Sequence, residues 1–77
     1  PPLKGIFRTE VTDGTRVQFI DESVGGPTSW LWDFGDDTVS SEQNPIHTYL
    51  KEGNYLVTLH ISNEIYEDTV SKEIGIR

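Results

Sequence analysis

Trp30-Leu31-Trp32-Asp33-Phe34-Gly35-Asp36-Asp37 decides the fold. Its large aromatic side chains occupy alternate positions, Trp30, Trp32 and Phe34, with Leu31 and Asp33 between them. In an extended chain successive side chains point to opposite faces, so the three rings line one surface of a strand. A helix would spread them around its circumference. Gly35-Asp36-Asp37 then ends the run with residues that favour turns.

The same period of two continues on either side. Val17 and Phe19 share a face within Arg16–Asp21. Tyr55, Val57, Leu59 and Ile61 form the longest stripe, opposite Leu56, Thr58, His60 and Ser62. Alternation rich in β-branched and aromatic residues marks half-buried strands. Turn signals separate the runs at Thr12-Asp13-Gly14, Gly25-Gly26-Pro27, Asn44-Pro45 and Glu52-Gly53-Asn54. Strands are expected near 4–10, 15–22, 28–35, 38–41, 46–49, 54–63 and 67–76. No window carries apolar residues at helical spacing behind a cap, and short strands at regular spacing point to an all-β sandwich or barrel.

Size and composition set the limits. At 77 residues the chain has room for one domain and one core, because a fold near this size buries only about 60% of the surface of its unfolded chain. There is no cysteine, which rules out a disulfide or a thiolate metal site. Thirteen acids against six bases give a net charge of −7, the wrong sign for nucleic-acid binding. No apolar run reaches the length of a membrane span. Pro1-Pro2 and Ile76-Arg77 read as the edges of a module within a longer protein.

The aromatic pattern fits the immunoglobulin layout, which buries a Trp on its third strand and starts its sixth with a corner Tyr. Trp32 suits the first role and Tyr55 the second, its hydroxyl bonding backbone at the corner. Val57 stands where the inter-sheet Cys would be, opposite Val17 or Phe19, so apolar packing replaces the bridge.

Four blocks also resemble the PKD family. Trp30-Leu31-Trp32-Asp33-Phe34-Gly35-Asp36 is similar to its WDFGDG motif, and Asn44-Pro45-Ile46-His47-Thr48-Tyr49 to its NPxHxY segment. Gly53-Asn54-Tyr55-Leu56-Val57-Thr58-Leu59 resembles its GxYxVTL strand, and Val17-Gln18-Phe19 completes the order. The resemblance covers nearly all of residues 1–77, read as a single domain. It implies an immunoglobulin-like β-sandwich of about seven strands in two sheets, without a disulfide. It also implies a non-catalytic spacer or adhesion module in an extracellular or cell-surface protein. Partners are then neighbouring domains or surface-array subunits, or else a polysaccharide or fibrous protein. Two departures stand out: Asp37 occupies the place of a turn Gly, and Asn63-Glu64-Ile65-Tyr66-Glu67 replaces a Gly-containing hairpin.

Candidate chemistry is sparse. Asp33, Asp36 and Asp37, with Asp21 and Glu22, are the weak candidates for Ca²⁺ ligands; calcium takes 6–8 oxygens, and the spacing does not match an EF-hand loop. The simpler reading has these acids satisfying turn backbone, and no metal or other cofactor is assigned. His47 and His60 lack the third ligand of a catalytic zinc site; His47 reads as a structural hydrogen-bonder and His60 as an outward strand residue. Trp30, Ile65 and Tyr66 are the candidate binding residues: Trp30 as a half-buried ring, Ile65 and Tyr66 as an exposed pair at a loop tip.

Overall fold

The computed structural model describes residues 2–77; Pro1 lies outside them. The strands are β1 (Phe7–Asp13), β2 (Arg16–Asp21), β3 (Ser29–Asp33), β4 (Val39–Ser40), β5 (Ile46–Thr48), β6 (Gly53–Ser62) and β7 (Glu67–Ile76). They form two antiparallel sheets, β1-β2-β5 and β4-β3-β6-β7. This is the expected sandwich of seven strands.

The expected strand limits hold to within one or two residues, except at the first strand. The sequence pattern puts it at 4–10, and it is found at 7–13. Asp13 pairs with Arg16, so only Gly14 and Thr15 make the turn, after a register shift between Val11 and Asp13. Gly14 takes φ 60, a left-handed conformation that glycine adopts without penalty. Near the N-terminus Lys4 makes only an isolated bridge to Val24. The third strand stops at Asp33 rather than 35, because Phe34 turns its N–H to the carbonyl of Thr38 at 3.1 Å. Gly35 follows at φ +85, and a Cβ there would stand 2.5 Å from the carbonyl oxygen of Leu56. Glycine alone fits that approach to β6.

The inward faces read from the sequence are the buried ones. Val17, Phe19, Trp32, Phe34, Val57, Leu59 and Ile61 are all at most 2% exposed. Leu3, Phe7, Tyr49 and Ile76 join them in one cluster. Trp32 lies at its centre. Phe7 meets its ring edge-on at 5.0 Å and Phe19 lies tilted to it at 5.3 Å, both from the opposite sheet. Its Nε1 donates to the carbonyl of Gln43 at 3.3 Å. The buried Tyr49 hydroxyl donates to the Phe34 carbonyl at 2.9 Å. Tyr55 stacks on Tyr49 at 4.2 Å and donates to the carbonyl of Lys51 at 2.7 Å, the expected corner.

On the open side of the sandwich β7 is a long edge strand, a site where another chain could pair. Two of its side chains are tied to the N-terminal segment and the start of β1. Asp68 Oδ2 accepts from the backbone N–H of Gly5 at 2.7 Å. The Lys72 ammonium bonds the Phe7 carbonyl and sits 4.3 Å over that ring. The body measures 38 × 20 × 17 Å. The start of β1, the β2–β3 connection and the β6–β7 loop gather at one pole, as the pairs Phe7–Asp21, Ser29–Ser62 and Ser62–Glu67 require. The β1–β2 turn, the segment after β3 and the end of β7 gather at the other.

Two substitutions test this core by chemical denaturation. Trp32→Ala removes a large buried aromatic and is expected to cost about 3–5 kcal/mol, much of the about 5–15 kcal/mol available to a domain. Tyr49→Phe keeps the ring but leaves the Phe34 carbonyl unpaired, an expected cost of about 1–3 kcal/mol. A Trp32→Ala protein as stable as the parent would contradict the strand-face assignment.

Candidate functional site

The loop between β6 and β7 is built by an asparagine. Asn63 Oδ1 accepts from the backbone N–H groups of Ile65 at 2.9 Å and Tyr66 at 2.8 Å. The Asn63 N–H closes the loop on the Tyr66 carbonyl at 2.9 Å. Side-chain oxygens of this kind mimic a backbone turn, so no glycine is needed. The consequence is exposure of the pair the loop carries: Ile65 is 80% and Tyr66 41% exposed. Beside them a shallow groove of about 430 Å³ runs between Ile65, Glu64, Asn63, Gly26 and Thr28.

Trp30 is held differently. It is half-buried, packs against the core and pairs with Ile61 of β6. Its Nε1 donates to Asp21 Oδ2 at 2.8 Å, across to the other sheet. Gln43 Nε2 reaches the same oxygen at 3.2 Å, and Ser23 N–H reaches Asp21 Oδ1 at 3.0 Å. Partial burial raises the Asp21 pKa, but hydrogen bonds from Ser23, Trp30 and Gln43 outweigh it and leave the carboxyl below its usual range. The structure therefore sets Ile65 and Tyr66 side by side and locks Trp30 into the joint between sheets. Nothing in the spacing of Asp21 and Trp30 announces that bond, because the two residues face each other only once the sheets stack.

The acids after β3 are engaged within their own turn. Asp33 Oδ1 accepts from Gly35 N–H at 3.0 Å. Asp36 Oδ1 accepts from the Thr38 N–H at 3.3 Å and from the Thr38 hydroxyl. Asp36 Oδ2 pairs with His47 Nε2 at 2.8 Å. His47 lies flat on Phe34, ring centres 4.2 Å apart, and edge-on to Tyr49 at 4.6 Å. Burial alone would raise the Asp36 pKa; the bonds from Thr38 and His47 outweigh it and hold the carboxyl low. Asp37 takes φ 70, a left-handed conformation, at the place where the family motif has Gly. The buried Tyr49 phenol is pushed well above its ordinary pKa, first by burial and then by the charge of Asp36.

Asp21 and Glu22 lie at the other pole, Glu22 on Arg8 Nε at 3.1 Å. His60 sits on the outer face of its sheet, Nδ1 2.8 Å from the Thr69 hydroxyl. Among the described residues no three His, Cys, Asp or Glu side chains converge on a metal-sized position. Because no such cluster of ligands is assembled among the described residues, a chelator is expected to leave the melting temperature unchanged. A fall on adding EDTA, reversed by Ca²⁺, would show a structural ion; about 1 kcal/mol shifts the midpoint of so small a domain by roughly 4–8 °C.

Comparison with known proteins agrees with this architecture. A family model described as the PKD domain matches residues 1–76. Collagenase ColQ1 of Bacillus cereus (strain Q1) is 35% identical over 74 residues, covering 92% of this chain and 7% of that protein. The chain thus spans only a small part of that relative. The crystal structure of the PKD1 domain from the Vibrio cholerae metalloprotease PrtV matches with a TM-score of 0.90 at 31% identity, covering 99% of this chain and 98% of that one. The PKD1 domain of Vibrio anguillarum Epp matches with a TM-score of 0.91 at 27% identity, covering 100% and 95%. With a family model over nearly its full length and a sandwich of the same shape, the chain belongs to the PKD domain family.

Proposed function

We propose that this domain is a non-catalytic structural and interaction module of a larger extracellular or cell-surface protein, a rigid spacer that holds its neighbours apart. The observation that carries this reading is the polarity of the body. β1 starts at one pole and β7 ends at the other, along a 38 Å axis in a body only 20 × 17 Å across. A chain entering and leaving at opposite ends adds length to whatever it joins. Packing of eleven apolar and aromatic side chains into one cluster makes that length stiff. The relatives are named as a collagenase and a metalloprotease, which supports placing the module outside the cell.

A second reading rests on the loop tip. Ile65 and Tyr66 are solvent-facing beside a groove, flanked by Glu64 and Glu67. Tyr gives a large contact area for little lost entropy. In this reading the domain is an accessory binder of an insoluble polysaccharide or a fibrous protein.

Two measurements separate the readings. In a longer polypeptide carrying the domain, small-angle scattering should show the maximum dimension shrinking by about the 38 Å axis when residues 1–77 are excised; no change would contradict the spacer. Sedimentation of the isolated chain with collagen, chitin or cellulose should leave it in solution. Retention lost in Tyr66→Ala and Trp30→Ala would replace the spacer by the binder.

A further inference from the structure

At the pole opposite the Asn63–Tyr66 loop, a hollow of about 270 Å³ opens between Asp36, Thr38, His47, Leu50, Lys51 and Tyr55. Leu50, between β5 and β6, is 94% exposed at its rim. An entire isobutyl group standing in water has nothing of its own domain to pack on. Two of the other walls are held by contacts within the domain. Tyr55 is stacked on Tyr49 and tied to the Lys51 carbonyl. His47 is clamped between Phe34 and Asp36.

One polar position is left over. An ionised carboxylate accepts at about four lone-pair sites. Asp36 receives the Thr38 N–H and hydroxyl on Oδ1 and His47 on Oδ2, so Oδ2 keeps room for one more donor. An apolar trough ending at an unfilled carboxylate acceptor is complementary to an aliphatic stem with a cationic head.

We propose that this hollow receives an arginine or lysine side chain from a neighbouring domain of the same polypeptide, its stem against Leu50 and Tyr55 and its head at Asp36. Charge selects the occupant: a domain of net charge −7 favours a basic partner and repels a second copy of itself. Position selects its source. β7 ends at this pole, where Ile76 pairs with Gly53, next in the chain after the segment that carries Leu50 and Lys51. A domain joined beyond β7 meets this pole before any other surface. Lys51 lines the same hollow and opposes the incoming cation, so neutralising it strengthens the contact. The source of the side chain rests on the module reading above; the chemistry of the hollow does not.

The test is an NMR titration of the isolated ¹⁵N-labelled chain with N-acetyl-arginine N-methylamide, with the lysine derivative, and with the uncharged citrulline derivative. Saturable shifts at His47, Leu50 and Tyr55 are expected with arginine and lysine, severalfold weaker with citrulline. Asp36→Asn should abolish the preference for charge, Leu50→Ala should weaken all three, and Lys51→Gln should tighten the two cations. Leu50 is so exposed that its variant folds whatever Asp36→Asn does to the turn. Equal shifts with citrulline, or none with any of the three, overturn the site. In a longer polypeptide that includes the domain following β7, the His47 and Leu50 resonances should already be displaced and unresponsive to added arginine amide. Free-like, responsive resonances there would overturn the neighbouring domain as occupant, and would leave the scattering result on spacing untouched.

Discussion

Burial of the Trp32 indole between two sheets is the constraint on which the other features depend. Its ring is out of solvent altogether, with Phe7 and Phe19 of one sheet against it and Leu59 paired beside it in the other. Full burial of so large a side chain supplies more apolar area than any other single residue of the chain can. It also forces a polar requirement, since a buried N–H needs an acceptor. The Gln43 carbonyl meets it, and so fixes where the β4–β5 connection must run. With no disulfide and no cluster of metal ligands among the described residues, this packing is what joins the layers.

The central strands were legible from their residues because each has one face in the core and one in water. β3 and β6 pair along the length of β3, and their alternation of Trp30 and Trp32, or Val57, Leu59 and Ile61, survives in the burial pattern. The edge strand β1 was not legible to the same degree. Leu3 and Phe7 are buried while Ile6 and Val11 are exposed, and a bulge sets where the strand ends. Tyr49 carries no periodic sign of burial. Its burial follows from Phe34 offering a carbonyl across the turn, a partner fifteen residues away that spacing does not reveal.

The candidate sites divide in the same way. A positive φ at Asp37 could be foreseen from the missing Gly, and the exposure of Ile65 and Tyr66 from two bulky residues at a loop tip. How Asn63 shapes that loop with its side-chain oxygen is not legible in the residue order. Nor is the tie between Trp30 and Asp21, because it exists only across the sandwich. Likewise Leu50 follows a buried Tyr and shows no periodic sign of standing at the rim of a hollow. Local rules report what a residue does to its own strand or turn; cross-sheet contacts need the assembled layers.

The most direct measurement of whether Trp32 joins the sheets is hydrogen exchange at the two indole N–H groups by NMR. Trp30 donates to a half-buried carboxylate at one pole and is itself only half-buried, so opening at that pole suffices to free it. Trp32 lies wholly out of solvent between the layers, and if it joins them its N–H is freed only when they separate. Its indole proton should therefore be the slower of the two, with an opening free energy equal to that of global unfolding measured by denaturant. A Trp32 indole that exchanges as fast as that of Trp30, while the domain remains folded, would contradict the role of this ring as the joint of the sandwich.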